Sequence, residues 1–191
     1  MPNDIYLVLN GMTDNDYNNL GIDSSLNFLG EEYKKSLFNY FFENNLINDS
    51  IIFSSDEIRS KETIDFFSSQ KEYFDYLNGM NLGKFKNKSF DDFLNSQDYQ
   101  DYINDPFIFQ FPDGESFKHL QNRTLSVMFE INKIDLYTDI IICADKEILQ
   151  TICGILTNTP EIDIPNIDIN HNSIIKIKQQ FDNFNSSYIS I

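Results

Sequence analysis

A chain of 191 residues with 41% apolar and 15% aromatic side chains has enough material for a packed core, which excludes wholesale disorder. Thirty acidic against fourteen basic side chains give a net charge of −16, a field that repels nucleic acid, anionic lipid and phosphorylated metabolites unless cations are gathered locally. Few are suited to that: twelve of the fourteen are lysines, and the only arginines are Arg59 and Arg123.

Residues 1–191 read as one domain on length and on the absence of a linker or internal repeat. The opening Met1-Pro2-Asn3-Asp4 has no basic region, and no apolar run reaches membrane-spanning length, so neither a secretory signal nor a span is expected. Cys143 and Cys153 are too few for a disulfide framework and lack metal-ligand spacing. A reducing, cytoplasmic location follows as the expectation, and the sequons at Asn48, Asn87, Asn122 and Asn185 are read as products of an Asn-rich composition.

In chain order, Ile5-Tyr6-Leu7-Val8-Leu9 is an apolar run of strand length, closed by Asn10-Gly11. A polar loop leads to Leu26, Leu29, Tyr33, Leu37, Tyr40 and Phe41, whose spacing predicts a helix of about 18 residues. Ser50–Phe53 is a second buried strand, after which Ser55 or Asp56 can cap a helix carrying Ile58, Thr63, Phe66 and Phe67. From Tyr73 to Phe111 the pattern is aromatic and irregular, with short helices near 90–94 and 99–103. Pro112-Asp113-Gly114 is a turn signal, and Ser116 starts a helix through Ile131. Asp139–Cys143 is a third strand, followed by a helix over 146–156. Ile174, Ile175 and Ile177 belong to a fourth strand, and residues 188–191 to a fifth. Strands alternating with helices predict a three-layer α/β sandwich, with a mostly parallel sheet and helices on both faces. In such sheets ligands bind beyond the carboxyl ends of the strands, at Leu9–Thr13, Ser54–Arg59 and Cys143–Lys146.

Those strand ends carry a resemblance. Ile5 to Thr13 is similar to the opening strand of the histidine phosphatase (phosphoglycerate mutase-like) superfamily, which ends in Arg-His-Gly-Glu-Thr/Ser. Ser54-Ser55-Asp56-Glu57-Ile58-Arg59-Ser60-Lys61-Glu62-Thr63 resembles its Ser-Ser-x-x-x-Arg-x-x-x-Thr segment, and Pro112-Asp113-Gly114-Glu115-Ser116 with Arg123 its Pro-x-Gly-Glu-Ser…Arg segment. Within the superfamily, Asp23-Ser24-Ser25-Leu26, Leu77-Asn78-Gly79-Met80-Asn81 and Asn172–Ile177 follow the order of the fructose-2,6-bisphosphatase domain of the bifunctional kinase/phosphatase. The resemblance spans residues 4–178.

It also implies departures. The nucleophilic histidine corresponds to Asn10, whose amide nitrogen has its lone pair delocalised and cannot attack phosphorus. The preceding phosphate-binding arginine corresponds to Leu9, the second histidine to Ala144 and the acidic general acid to Gly79. Outer basic positions fall near Tyr102, Pro106, Gln110 and Leu149. Of the phosphate cage only Arg59 is left. It either projects into the crevice beside Asn10 and the amides near Gly11, or pairs with Asp14, Asp16 or Asp145.

Other candidates have ordinary readings. His119, on a helix, and His171, before a strand, are expected to cap or face solvent. Cys143 next to Ala144 and Asp145 is expected to be a buried thiol, since no cation lowers its pKa. Arg123 can pair with Glu115. The loop starting Asp14-Asn15-Asp16-Tyr17-Asn18 lacks the glycine and glutamate of a calcium loop (Asn19 and Ser25 stand there) and reads as a turn. Lys84, Lys86 and Lys88 read as an exposed run.

The expectation is thus a histidine-phosphatase-like protein without the catalytic set (Asn10, Gly79 and Ala144 at the degenerate positions), with no metal and no cofactor. Such a pseudophosphatase would act as a binding or regulatory subunit of a protein partner, an active homologue or a sugar-phosphate enzyme, and not of nucleic acid or membrane. Two alternatives stand beside it: a phosphoester hydrolase with a relocated catalytic set, and a weak anion sensor using Arg59, Asn10, Gly11 and Thr13. A strongly positive strand-end crevice would favour an enzyme; a neutral or negative one, the interaction protein.

Overall fold

The apolar runs become the middle of one sheet. The computed structural model of the chain describes residues 4–16, 20–135, 137–180 and 183–191. Its strands are β1 (Asp4–Leu9), β2 (Ser50–Ser54), β3 (Lys71–Tyr73), β4 (Asp139–Ala144), β5 (Ser173–Gln180) and β6 (Asn183–Ser190), in the order β3-β2-β4-β1-β5-β6. β3, β2, β4 and β1 run parallel, while β5 is antiparallel to both β1 and β6. The sheet is therefore mixed, with one reversed strand in a mostly parallel array.

Alternation along the strands feeds two cores, because successive side chains leave opposite faces. Ile5, Leu7, Leu9, Ile140, Ile142 and Ala144 pack with Leu120, Val127, Ile131, Ile148 and Ile152 on one face. Those partners come from α5 (Phe117–Thr124), α6 (Ser126–Ile131) and α7 (Lys146–Leu156), the fifth to seventh helices of the chain. Tyr6, Val8, Ile52, Ile141 and Cys143 pack with Tyr33, Leu37 and Phe41 of α1 (Phe28–Glu43), and with Ile64 and Phe67 after α2 (Ile58–Thr63). The two short helices α3 (Phe90–Leu94) and α4 (Gln97–Asn104) gather around an aromatic cluster of Phe85, Phe93 and Phe111.

Several expectations shift in detail. α1 begins later than its apolar spacing predicts: Asn27 caps it by accepting from the Gly30 amide, and Leu29 is 52% exposed. Gly30 takes the inward position instead, because the helix lies against the Met12 backbone, where a Cβ at residue 30 would stand 2.3 Å from the carbonyl oxygen. α2 is capped neither by Ser55 nor by Asp56. Glu57 is its N-cap residue without a side-chain bond, and Asp23, from the loop that precedes α1, accepts from the Ile58 and Arg59 amides at 2.9 and 3.3 Å. The helix expected from Ser116 to Ile131 is divided at Leu125 into α5 and α6. β3 has no apolar run to announce it, since a three-residue edge strand buries little. The last strand starts earlier than expected, at Asn183, as the return arm of a hairpin with β5.

Candidate functional site

β1 and β4 end side by side, and the Asn10 amide donates to the Ala144 carbonyl at 3.2 Å. β2 ends on the other side of β4, with the Ser55 amide on the Cys143 carbonyl at 3.1 Å. Ala144 and Leu9 turn into the apolar core, so neither side chain reaches the crevice. Asn10 does: it is buried, and its Nδ2 donates to Asp145 Oδ1 at 2.7 Å.

Asp145 is the centre of the arrangement. Its Oδ2 lies 2.6 Å from Nη2 of Arg59, which reaches in from the first turn of α2. Glu57 Oε1 lies 3.7 Å from the same nitrogen, and Asp16 Oδ1 3.6 Å from Nη1. Three carboxylates thus surround one guanidinium, and the crevice carries net negative charge when all are ionised. Burial pushes the Asp145 carboxyl up to about 6, against the opposing pull of Arg59. Burial also raises Glu57, with the charge of Asp145 adding to it. Arg59 is desolvated too, but its carboxylate neighbours outweigh that and hold it above its ordinary value.

Gly79 explains how the carboxylate fits. A Cβ there would stand 2.1 Å from Asp145 Oδ2 and 3.3 Å from Arg59 Nη2, so the bare backbone leaves the space that the Asp145–Arg59 pair fills. The Gly79 amide faces Glu57 Oε2 at 3.2 Å.

Of the remaining candidates, Gly11 and Thr13 lie beside the cluster with their donors already engaged. The Gly11 amide donates to Thr63 Oγ1 at 2.7 Å, and that hydroxyl donates to the Arg59 carbonyl at 2.7 Å. The Gly11 amide is therefore directed at Thr63 in this arrangement. Thr13 donates its amide and hydroxyl to the two oxygens of Asp16 at 2.7 and 3.0 Å. Tyr17, Asn18 and Asn19 of the calcium-like loop lie outside the described residues.

Two residues extend the site beyond what the sequence indicated. His171 stands next to it rather than in solvent: its Nε2 is 2.9 Å from the Asn10 carbonyl, which can only accept, so Nε2 carries the proton. Its ring meets Tyr33 edge-on at 4.9 Å, and burial lowers its pKa. Glu57, two residues before Arg59, was not singled out at all. One carboxylate among thirty acidic residues carries no signal of its own; its spacing from Arg59 on the strand-end segment was the only cue.

Arg123 is a structural hub. Its guanidinium donates to both oxygens of Glu115 at 2.7 and 3.0 Å, and to the carbonyls of Tyr76, Asn78 and Gly79 at 2.7, 2.8 and 3.0 Å. It therefore holds the backbone that presents Gly79. His119 completes the capping box of α5 with Ser116. The Cys143 thiol is buried, points to the Ser60 carbonyl at 3.9 Å and has its pKa raised by burial, which keeps it protonated and unreactive. Lys84 pairs with Asp113 at 3.6 Å on the surface. Among the described residues no group of three or more His, Cys, Asp or Glu is placed to hold a metal ion. No described helix is long and apolar enough to cross a membrane.

Comparison with known proteins gives the fold a wider frame. The profile of the histidine phosphatase superfamily (branch 1) matches residues 5–189. A 6-phosphofructo-2-kinase/fructose-2,6-bisphosphatase of Caenorhabditis elegans is 24% identical over 182 residues, which covers 93% of this chain and 39% of that protein. The chain therefore spans about two-fifths of the length of that relative. The alpha-ribazole phosphatase of Shigella flexneri superposes with a TM-score of 0.86 at 16% identity, covering 98% of this chain and 96% of the other. YhfR of Bacillus stearothermophilus follows at 0.83 and 18% identity, covering 97% and 96%. At these identities the structural likeness speaks for the fold.

Proposed function

Because the chain belongs to the histidine phosphatase superfamily (branch 1), we propose that it keeps the phosphatase fold without phosphoryl-transfer chemistry and works as a binding or regulatory subunit. One observation carries this reading. The Asp145 carboxylate stands between Asn10, Gly79 and Arg59, in the crevice where the resemblance implies a phosphoryl group would be handled.

Phosphoryl transfer through the protein needs a nucleophile with a free lone pair, a cationic cage for the developing charge and a donor for the leaving oxygen. The strand-end cluster offers an amide, one arginine and three carboxylates. A crevice of that sign repels a phosphoester. His171, the histidine nearest the site, has Nε2 committed to a backbone carbonyl and its ring packed on Tyr33, an arrangement suited to holding the Asn10 loop.

A partner surface has physical support as well. The outer side of α1 exposes Phe28 and Phe42, with Phe42 stacked on Phe38 and Phe38 edge-on to Phe66. Exposed aromatic groups of this kind fit a protein partner better than a polyanion. The partner we favour is an active homologue or an enzyme of sugar phosphates, in keeping with the bifunctional relative.

Purified protein incubated with fructose 2,6-bisphosphate and with an aryl phosphate is expected to release no phosphate above the buffer control. Sustained release that survives repurification and disappears in an Arg59→Ala variant would overturn the reading.

A further inference from the structure

The sheet ends differently at its two edges. β3 is a three-residue strand that carries Lys71 and Glu72, short and charged as edges are where further pairing is avoided. β6 is eight residues long, pairs with β5 without a bulge from Asn183 to Ser190, and contains neither a proline nor a charged side chain. None of the usual devices guards it. Its neighbourhood is also unlike the rest of the molecule: residues 173–191 hold two lysines and one aspartate, a net positive stretch in a chain of −16.

The direction of its free backbone groups follows from the ladder. The Ile191 amide donates to the Asn172 carbonyl at 3.1 Å, so that pair is hydrogen-bonded, and such pairs alternate along an antiparallel ladder. Ile189, Ser187, Asn185 and Asn183 therefore turn their N–H and C=O groups to β5. Phe184, Ser186, Tyr188 and Ser190 turn theirs away from it, and β6 is the last strand, so no further strand takes them up among the described residues. Side chains alternate as well: Phe184 packs against the core on the α5–α7 side and Ile189 against the core on the α1 side. Tyr188, on the same face as Phe184, is 53% exposed.

We propose that β6 is a dimerisation edge whose occupant is β6 of a second copy of this chain, antiparallel about a twofold axis at Ser187. Of the twofold registers, the one centred there uses all four outward residues. Phe184 then stands opposite the partner's Ser190 and Ser186 opposite the partner's Tyr188, each pair exchanging two hydrogen bonds, about eight in all. On the other face Asn185 meets the partner's Ile189, and Ser187 meets the partner's Ser187. Each large side chain thus faces a small or polar one, and no charge faces a charge. A partner strand selected by charge would call for lysines or carboxylates along β6, and there are none. The pairing also closes, because the joined sheet has only the short, charged β3 strands at its outer edges. This surface lies apart from the strand-end crevice, and the inference holds whether or not the chain turns over phosphoesters.

Sedimentation of the full chain tests it, at about 150 mM salt so that the two acidic bodies are screened from each other. Between about 1 and about 200 μM a monomer–dimer equilibrium is expected, with no larger species. A monomer throughout, or growth past the dimer, overturns the proposal. Ser186→Pro removes one outward donor and no bond to β5, a place where a strand tolerates proline. The folded variant is expected to dimerise at least about tenfold more weakly. Ser187→Asp and Ser187→Lys test the axis without touching the backbone. Each puts like charges opposite one another in a close, non-hydrogen-bonded pair, and each should be monomeric alone. An equimolar mixture of the two should recover the dimer, because aspartate then faces lysine. Charge variants that dimerise as the parent does, or a mixture no tighter than its components, would show that the copies meet elsewhere and overturn the proposal.

Discussion

Asp145 is a carboxylate placed where charge is resisted, and that has a measurable sign. Burial holds its proton to about pH 6 against an ordinary 3.8, with Arg59 pulling the other way and the carboxylates of Glu147 and Asp16 adding to the rise. Glu57, raised by the same surroundings, faces it across Arg59. Between the two pH values the folded chain carries more proton than the unfolded one, so this group's stabilising contribution is complete below about pH 4 and is lost as pH rises through 6. The gap sets a ceiling of about 3 kcal/mol. Urea unfolding between pH 4 and 7 should therefore show the parent losing stability relative to Asp145→Asn as pH rises. Parallel curves would mean that Asp145 is ionised throughout. The sequence made Arg59 visible because arginine is scarce, and made Asn10 visible because it ends an apolar run. It offered Asp145 only as one of three possible partners of Arg59, beside Asp14 and Asp16, because the bare Gly79 backbone that makes room for this carboxylate is brought opposite it by the fold.

Helix α1 shows what periodicity can and cannot supply. Tyr33, Leu37 and Phe41 were legible at helical spacing and are buried as expected. Leu29 was legible for the same reason and is exposed, because the phase is set by a backbone contact: Gly30 on Met12. Gly30→Ala is accordingly expected to run against helix propensity. The substitution gains about 1 kcal/mol in an isolated helix, but the added methyl would stand 2.3 Å from the Met12 carbonyl. Overpacking of that kind costs about 2–3 kcal/mol, so the variant should melt lower than the parent; a higher melting temperature would show that α1 is free to slide. β3 and the Asp23 cap of α2 were illegible for a related reason. Each is defined by a neighbour distant in sequence rather than by its own residues. The Ile52–Lys71 register and the bond from Asp23 to the Ile58 amide exist only once the sheet is built.

At the scale of the molecule, fourteen basic groups cannot neutralise thirty acidic ones. The described ion pairs, among them Lys34 with Asp65 at 2.6 Å and Lys176 with Asp4 at 2.6 Å, leave a large acidic excess on the surface. Self-repulsion of that excess weakens with screening. Raising sodium chloride from about 10 to about 150 mM, where the Debye length shrinks to about 8 Å, should raise the melting temperature by a few degrees. A flat or falling response would mean that the acidic groups are already matched by bound cations. The α/β class was legible at this scale from three apolar runs separated by helices. The reversed β5 was not, since strand direction leaves no mark on composition.

Strand order has a consequence for how the chain is made. β1 leaves the ribosome first, yet its two neighbours in the sheet are β4 and β5. The Asn10–Asp145 bond at its end closes a span of 135 residues, and the bond between Lys176 and Tyr6 one of 170. Ile5–Leu9 must therefore wait, unpaired and apolar, until β4 has been made. Contacts so remote in sequence slow folding and prolong exposure of an aggregation-prone segment. The nascent chain is thus a natural client for a holding chaperone, and it remains one until β5 has emerged.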